Sequence, residues 1–204
     1  MSRARQPISP VETIATELDR AVAERIAAAR ASGDPLQRPA CRRGCSFCCY
    51  QLVPLTVLEA QRIASNLATR TRSERRDLGQ AIDRQEKRFA AWVQEYHPSN
   101  IQDRQTNLSY LKQRIPCPFL GAEDECRVYA VRPLICRGHH ALGTSANCQT
   151  GEVPIRVVPA IERATSAAME RARDLAAVIG GPTIGGLIST YAPLFRAALT
   201  QASQ

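Results

Sequence analysis

Four of the eight cysteines fall within nine residues, in the run Cys41-Arg42-Arg43-Gly44-Cys45-Ser46-Phe47-Cys48-Cys49. Packing gives a loop no reason to gather thiols at that density. Neighbouring thiolates repel one another unless a cation neutralises them. The other four, Cys117, Cys126, Cys136 and Cys148, follow far downstream at loose intervals. This distribution predicts that two distant segments meet around metal, with all eight cysteines as candidate ligands.

The residues between the later cysteines point the same way. Pro116, Pro118, Gly121, Pro133, Gly138, Gly143, Gly151, Pro154 and Pro159 interrupt any long element between 115 and 159. A segment that cannot build regular elements needs another source of order, and coordinated metal supplies one.

Elsewhere the pattern is helical. Ser9, Pro10 and Glu12 read as a cap, first position and capping box for a helix. Its apolar face carries Val11, Ile14, Leu18, Val22 and Ile26, and it stops near Ser32-Gly33. Thr56 and Glu59 form a second capping box, opening a helix to about Ala68. Ser73 is read as the cap of a third helix with Leu78, Ile82, Phe89, Trp92 and Val93 inward, closed by His97-Pro98. A fourth is expected from Asn100 to Lys112, with Ile101, Leu108 and Leu111 inward. A short arm is expected at Val153 to Val158, and a fifth helix from Ala160 to Ile179. The last spans Leu187 to Leu199, kinked by Pro193. The expected fold is mostly α: an irregular helical domain with a loop-rich, cysteine- and metal-bound centre. Residues 1–204 read as a single domain, with a helix and linker to 39, the cysteine core over 40–148 and C-terminal helices over 149–204. Aromatic residues make up only 5% of the chain, so Ala, Leu, Ile and Val must fill the core.

No apolar run approaches the length of a membrane span, and the N-terminus lacks the apolar centre of a secretory signal. The expected location is the cytoplasm, where thiols stay reduced and metal ligation is favoured over cystines. The net charge of +8 permits an acidic partner. The arginines interleave with Glu and Asp at helical spacing, which argues against nucleic acid and leaves a protein or small molecule as partner.

Three metal arrangements were weighed against the spacings. Cys41-x3-Cys45-x2-Cys48, with Phe47, matches the cluster loop of radical S-adenosylmethionine enzymes, but those place it after a barrel strand and this chain offers helices. A zinc ribbon needs two Cys-x2-Cys pairs, and only Cys45-x2-Cys48 qualifies. Eight thiolates used together match two four-ligand sites, or one site with spare thiols. Adjacent Cys48 and Cys49 could serve one site each, and the partition stays open. An iron–sulfur cluster, with 4Fe-4S favoured, suits clustered thiols in a reducing compartment; Zn2+ is the alternative. Arg42, Arg43, Arg127, Arg132 and Arg137 would offset the negative charge of such a site. His139 and His140 are candidates for a ligand or a base. Tyr129 is expected to pack against the site, Trp92 and Phe89 in the core.

The run Ala40 to Cys49, then Pro54-Leu55-Thr56-x2-Glu59-Ala60, Cys117-Pro118-Phe119-Leu120 and Cys126-Arg127-Val128-Tyr129-Ala130-Val131-Arg132-Pro133-Leu134-Ile135-Cys136-Arg137, resembles the YkgJ-type cysteine-cluster proteins. Those carry a zinc- or iron-chelating domain named for its CxxCxxCC run. The resemblance covers about residues 40–148, with a first gap of three residues here instead of two. It implies a metal site without an assigned reaction. A related domain in flagellin lysine methylases adds methyl transfer to protein as one chemistry, beside redox or radical chemistry and a metal-stabilised interaction module. No glycine-rich loop for S-adenosylmethionine follows a strand; the run Gly180 to Gly186 reads as a helix break.

Overall fold

A computed structural model describes residues 9–34, 38–42, 44–98, 100, 103–150, 157–178 and 186–200. Helix α1 (Pro10–Ala31) has Ser9 at its extended N-cap and proline in its first turn, but the Ser9 side chain makes no capping bond. The expected box with Glu12 is therefore absent, and the Ser9 carbonyl accepts from the Glu12 and Thr13 amides instead, at 2.8 and 3.1 Å. Helix α2 (Val57–Ala68) has the full capping box of Thr56 and Glu59. Helix α3 (Arg72–Tyr96) is capped by Thr71, with Glu74 closing the box. Ser73 thus lies inside the helix. The reason is local: the residue three beyond Thr71 is an acid, whereas the one three beyond Ser73 is Arg76. His97 ends α3 in the left-handed conformation, φ 49°, the capping role expected of it.

Helix α4 (Arg104–Lys112) starts later than expected because Asp103 accepts from the Thr106 amide and so fixes the N-terminus there. Leu111 is buried, Leu108 half-buried, and Ile101 lies outside the described residues. Two short helices, α5 (Leu134–Gly138) and α6 (Ala146–Thr150), lie within the breaker-rich middle. Helix α7 (Pro159–Val178) precedes a 3-10 turn at Ile188–Tyr191 and α8 (Ala192–Thr200). Pro193 does not kink α8. It is the second helical residue, where a missing N–H goes unused. Strands β1 (Pro54–Leu55) and β2 (Gly186–Leu187) pair antiparallel, Pro54 with Leu187 and Leu55 with Gly186. Most of the expected arm at Val153 to Val158 lies outside the described residues, as does the glycine run before Gly186; Val157 bridges to Ala141. The fold is mostly α. Among the described residues no helix is long and apolar enough to cross a membrane.

Two apolar clusters frame the cysteines. In one, Ile63 and Leu67 of α2, Leu78 and Ile82 of α3 and Phe195 of α8 are buried together. Phe119 meets Phe195 edge to face, with ring centroids 5.4 Å apart. Cys117, Cys126 and Cys136 pack against this cluster. In the other, Ile14, Leu18 and Val22 of α1 meet Ile161, Ala168 and Ala172 of α7, with Leu134 of α5 between them. Each fully buried Leu or Ile contributes about 1.5–3 kcal/mol. Helix α5 thus belongs to both: Leu134 anchors it in the second cluster while Cys136 faces the first. Trp92, Tyr110 and Ile115 form a third group, the core placement expected for Trp92.

Candidate metal centre

Main-chain hydrogen bonds lace the early cysteine segment to the late one. The Cys117 amide donates to the Cys49 carbonyl at 2.6 Å. Some distance away, the Ala40 amide donates to the Ala141 carbonyl at 2.8 Å, the Gly143 amide donates to the Arg38 carbonyl at 3.0 Å, and Pro39 bridges Leu142. Cys41 lies on this second lace: its sulfur accepts from the Ala141 amide at 3.3 Å, and its thiol reaches the His139 carbonyl at 3.8 Å. Helix α6, with Cys148, packs on the 3-10 turn Phe47–Tyr50 that contains Cys48 and Cys49. Gly44, at φ 81°, allows the turn in which the Cys45 amide reaches the Arg42 carbonyl at 3.0 Å. That turn takes up the extra residue of the first gap.

Cys117 and Cys126 stand on opposite arms of a hairpin. Leu120 bridges Cys126, the Gly121 amide donates to Glu125 and the Arg127 amide donates to Phe119. Each cysteine is followed by the same turn: its carbonyl accepts from the amide three residues on, Leu120 in one case and Tyr129 in the other, at 3.0 and 3.1 Å. The amide two residues on, Phe119 or Val128, lowers the pKa of the thiol and so favours its thiolate.

Mutual charge effects sort the thiols. Cys117 is within electrostatic reach of Cys136, Cys126 and Cys48, and Cys136 of Cys48 and Cys126. Cys148 instead responds to Cys41, Cys48 and Cys45, and Cys41 to Cys45 and Cys48. Cys48, beside Cys49 in the same 3-10 turn, thus stands between one group of Cys117, Cys126 and Cys136 and a second of Cys41, Cys45 and Cys148, of which Cys148 is the most buried at 3% exposed. Burial is the main cause that raises the thiol pKa at Cys41, Cys117, Cys126, Cys136 and Cys148, the last to about 11. At Cys48 the neighbouring Cys49 thiol comes first and burial second. All eight cysteines are free thiols. Among the described residues no three Cys, His, Asp or Glu side chains converge closely enough to hold an ion as they stand. The donor set itself suits a thiophilic metal.

The neighbouring charges divide their roles. Arg132 is the guanidinium that lowers the pKa of Cys48, Cys126 and Cys136. Arg127 feels Cys117. Arg137, expected to offset thiolate charge, is 3% exposed and serves the fold instead. It pairs with Asp19 of α1 and donates to the carbonyls of Arg132 and Ala130 at 3.0 and 2.9 Å. Arg42 contributes its carbonyl, and Arg43 lies outside the described residues. Tyr129 does not pack against the site. It is 62% exposed, with the Arg132 guanidinium 4.0 Å from its ring centroid, because its 3-10 turn carries the side chain outward. His139 and His140 are pushed below the usual imidazole range, chiefly by burial. Among the described residues His139 Nε2 and His140 Nδ1 are buried without partners, while His140 Nε2 meets the Arg137 carbonyl at 3.1 Å.

Glu59 is the functional carboxylate that sequence reading treated only as a cap. It is 5% exposed. One oxygen accepts from the Thr56 amide and hydroxyl, both at 2.8 Å; the other accepts from the Leu134 amide at 2.7 Å. It therefore fastens α2 to the start of α5, two residues before Cys136. The available signal was its place on the buried face, four residues before Ile63.

Residues 40–155 match the family model CxxCxxCC, described as "Putative zinc- or iron-chelating domain". The match spans more than half of the chain. The chain belongs to the CxxCxxCC family. Its zinc- or iron-chelating character agrees with a reduced, thiol-rich centre. The α1 and α8 helices lie outside the matched residues and supply the partners that hold this CxxCxxCC core: Asp19 for Arg137, and Phe195 for Phe119. No curated protein and no solved structure matches the chain.

Proposed function

We propose that this CxxCxxCC protein holds two metal centres, each bound by four thiolates drawn from both cysteine segments. One centre uses Cys117, Cys126, Cys136 and Cys48. The other uses Cys41, Cys45, Cys148 and Cys49. Each ion or cluster is iron–sulfur, with 4Fe-4S favoured over Zn2+, because both sets offer four sulfurs at spacings unlike zinc knuckles. The reading is carried by one observation, the reach of late Cys117 and Cys136 to early Cys48 while Cys148 reaches Cys41 and Cys45. The amides of Phe119 and Val128 support it, since they favour the thiolates of Cys117 and Cys126. Metal so held would order the thiol side chains and, as an iron–sulfur cluster, supply a one-electron couple. The chain's own residues orient the thiols: Glu59 and Arg137 fix α5, and Arg132 offsets the anionic charge.

Elemental analysis and a visible spectrum of anaerobically isolated protein test this reading. Iron with matching sulfide and broad visible absorption is expected; colourless protein with stoichiometric zinc selects the alternative metal. Cys117→Ser and Cys148→Ser should each remove about half of the metal, with the other half retained. Full metal content in either variant refutes the two-centre partition.

A further inference from the structure

A cleft with a volume of about 680 Å³ opens between α3 and the hairpin bearing Cys117. Arg84, Gln85 and Arg88 line one side; Cys117, Gly121 and Arg127 line the other. Three guanidiniums therefore line one cleft; Arg127 feels the attraction of Glu125 and Asp77 first and the repulsion of Arg84 after them. Arg84 makes no ion pair or hydrogen bond among the described residues. Arg88 gives one bond to the Gln113 carbonyl at 2.7 Å. Arg127 gives one to the Pro118 carbonyl at 2.9 Å, and its Nε is buried without a partner. Two acids also line the cleft, and both are engaged. Asp77 lies 3.7 Å from Arg76, and the Glu125 carboxylate accepts from the Glu123 amide at 2.9 Å. Gln85 reaches Tyr110 with its Nε2 at 3.3 Å, while its Oε1 is buried without a partner.

Three guanidiniums against two carboxylates leave the cleft lining net positive, and a planar guanidinium fork matches an oxyanion. The volume falls in the range of small-molecule sites. We propose that this cleft binds a small organic oxyanion, a carboxylate or phosphate ester of metabolite size, clamped by Arg84, Arg88 and Arg127 beside Cys117. Only the placement of that anion next to a metal centre rests on the function proposed above; the clamp itself does not. Cys117 stands in the cleft wall, so a ligand there would lie against the thiol group of Cys117, Cys126 and Cys136.

Calorimetric titration of the full chain with inorganic phosphate and with succinate, at constant ionic strength, tests the clamp. Saturable binding of at least one anion is expected, and none of the neutral analogue succinamide. Arg84→Gln should weaken that binding roughly tenfold or more, the effect of losing a charge-assisted bond, while Arg84→Lys retains part of it. Arg72→Gln removes the same charge at the start of the same helix, outside the cleft, and should leave affinity unchanged. Absence of saturable binding by either anion overturns the proposal. So does equal weakening by Arg84→Gln and Arg72→Gln, which would mark diffuse attraction to a basic protein. Binding by protein that elemental analysis finds metal-free upholds the clamp and sinks the metal reading; metal-loaded protein without anion binding does the reverse.

Discussion

Replacing Glu59 with glutamine tests whether one buried carboxylate sets the position of Cys136. The change keeps the size of the side chain. It also keeps one acceptor oxygen and turns the other into a donor. Glu59 accepts three bonds, from the Thr56 amide, the Thr56 hydroxyl and the Leu134 amide. The glutamine oxygen can serve either the Thr56 end or the Leu134 end. The NH2 group then faces a donor at the other. At least one bond to a charged acceptor is lost, worth about 1.5–3 kcal/mol, and a buried amide is left unpaired at about 1–3 kcal/mol. These overlap, and a combined loss of about 2–4 kcal/mol is expected. For a chain of this length that corresponds to a fall of roughly 5–15 °C in Tm. Thr56→Ala removes only the hydroxyl part of the capping box, at about 1 kcal/mol. Introducing E59Q into the T56A background therefore takes the hydroxyl out of the comparison and leaves the Thr56 amide and the bond between α2 and α5. Urea denaturation gives the energies. Metal content gives the second readout, which should fall for the centre containing Cys136. The removed negative charge works the other way, since Glu59 raises the Cys136 pKa, but it ranks behind burial and the neighbouring thiols among the causes there. Misplacement should therefore win. An E59Q protein within about 0.5 kcal/mol of wild type, with unchanged metal, would refute the reasoning.

Further outcomes can be checked with the same equipment. Gly138→Ala should cost about 1–3 kcal/mol by overpacking, because a Cβ there would overlap the Thr165 side chain of α7; an unchanged melting temperature would show that α5 and α7 are not in close contact. Gly44→Ala meets nothing within 4 Å, so its cost is torsional, about 1–2 kcal/mol from the positive φ, and should come with weaker metal retention at Cys41 and Cys45. Metal-free protein should lose stability as pH rises above roughly 8.5, because burial holds Cys117 and Cys136 protonated in the fold while the unfolded thiols ionise. With metal bound the sign reverses: folded thiolates carry no protons, so stability should fall as pH drops below that value. Matching pH profiles for the two forms would contradict the burial of these thiols.

What was legible in the sequence follows from what each element needs. Helices announce themselves through period and caps, so α1, α2, α3 and α7 were readable, and the slip from Thr71 to Ser73 came from weighing the hydroxyl without the acid three residues on. Strands of two residues have no period, so the pairing of β1 with β2 could not be seen. The thiol density around Cys41 to Cys49 pointed to metal, but the sorting of eight cysteines depends on tertiary laces such as Cys117 to Cys49 and Ala40 to Ala141. Asp19 and Glu59 were passed over because a carboxylate on a helix looks the same in sequence whether it faces water or a buried amide.

That oversight bears on what holds the middle of the chain. A breaker-rich segment was expected to need metal for its order. Yet Arg137 alone joins α1, the 3-10 turn at Tyr129–Val131 and its own helix, through Asp19 and the carbonyls of Ala130 and Arg132. Glu59 joins the same segment to α2, and Leu134 seats it between α1 and α7. An arginine buried to this degree and bonded to carbonyls of an irregular loop replaces the ladder bonds that prolines and glycines deny that loop. The thiols are thus carried on a frame that protein contacts already define. Metal arriving at such a frame has side-chain rotamers to order, and much less backbone, so the entropy of ordering opposes binding less than it would in a chain unfolded without its ion.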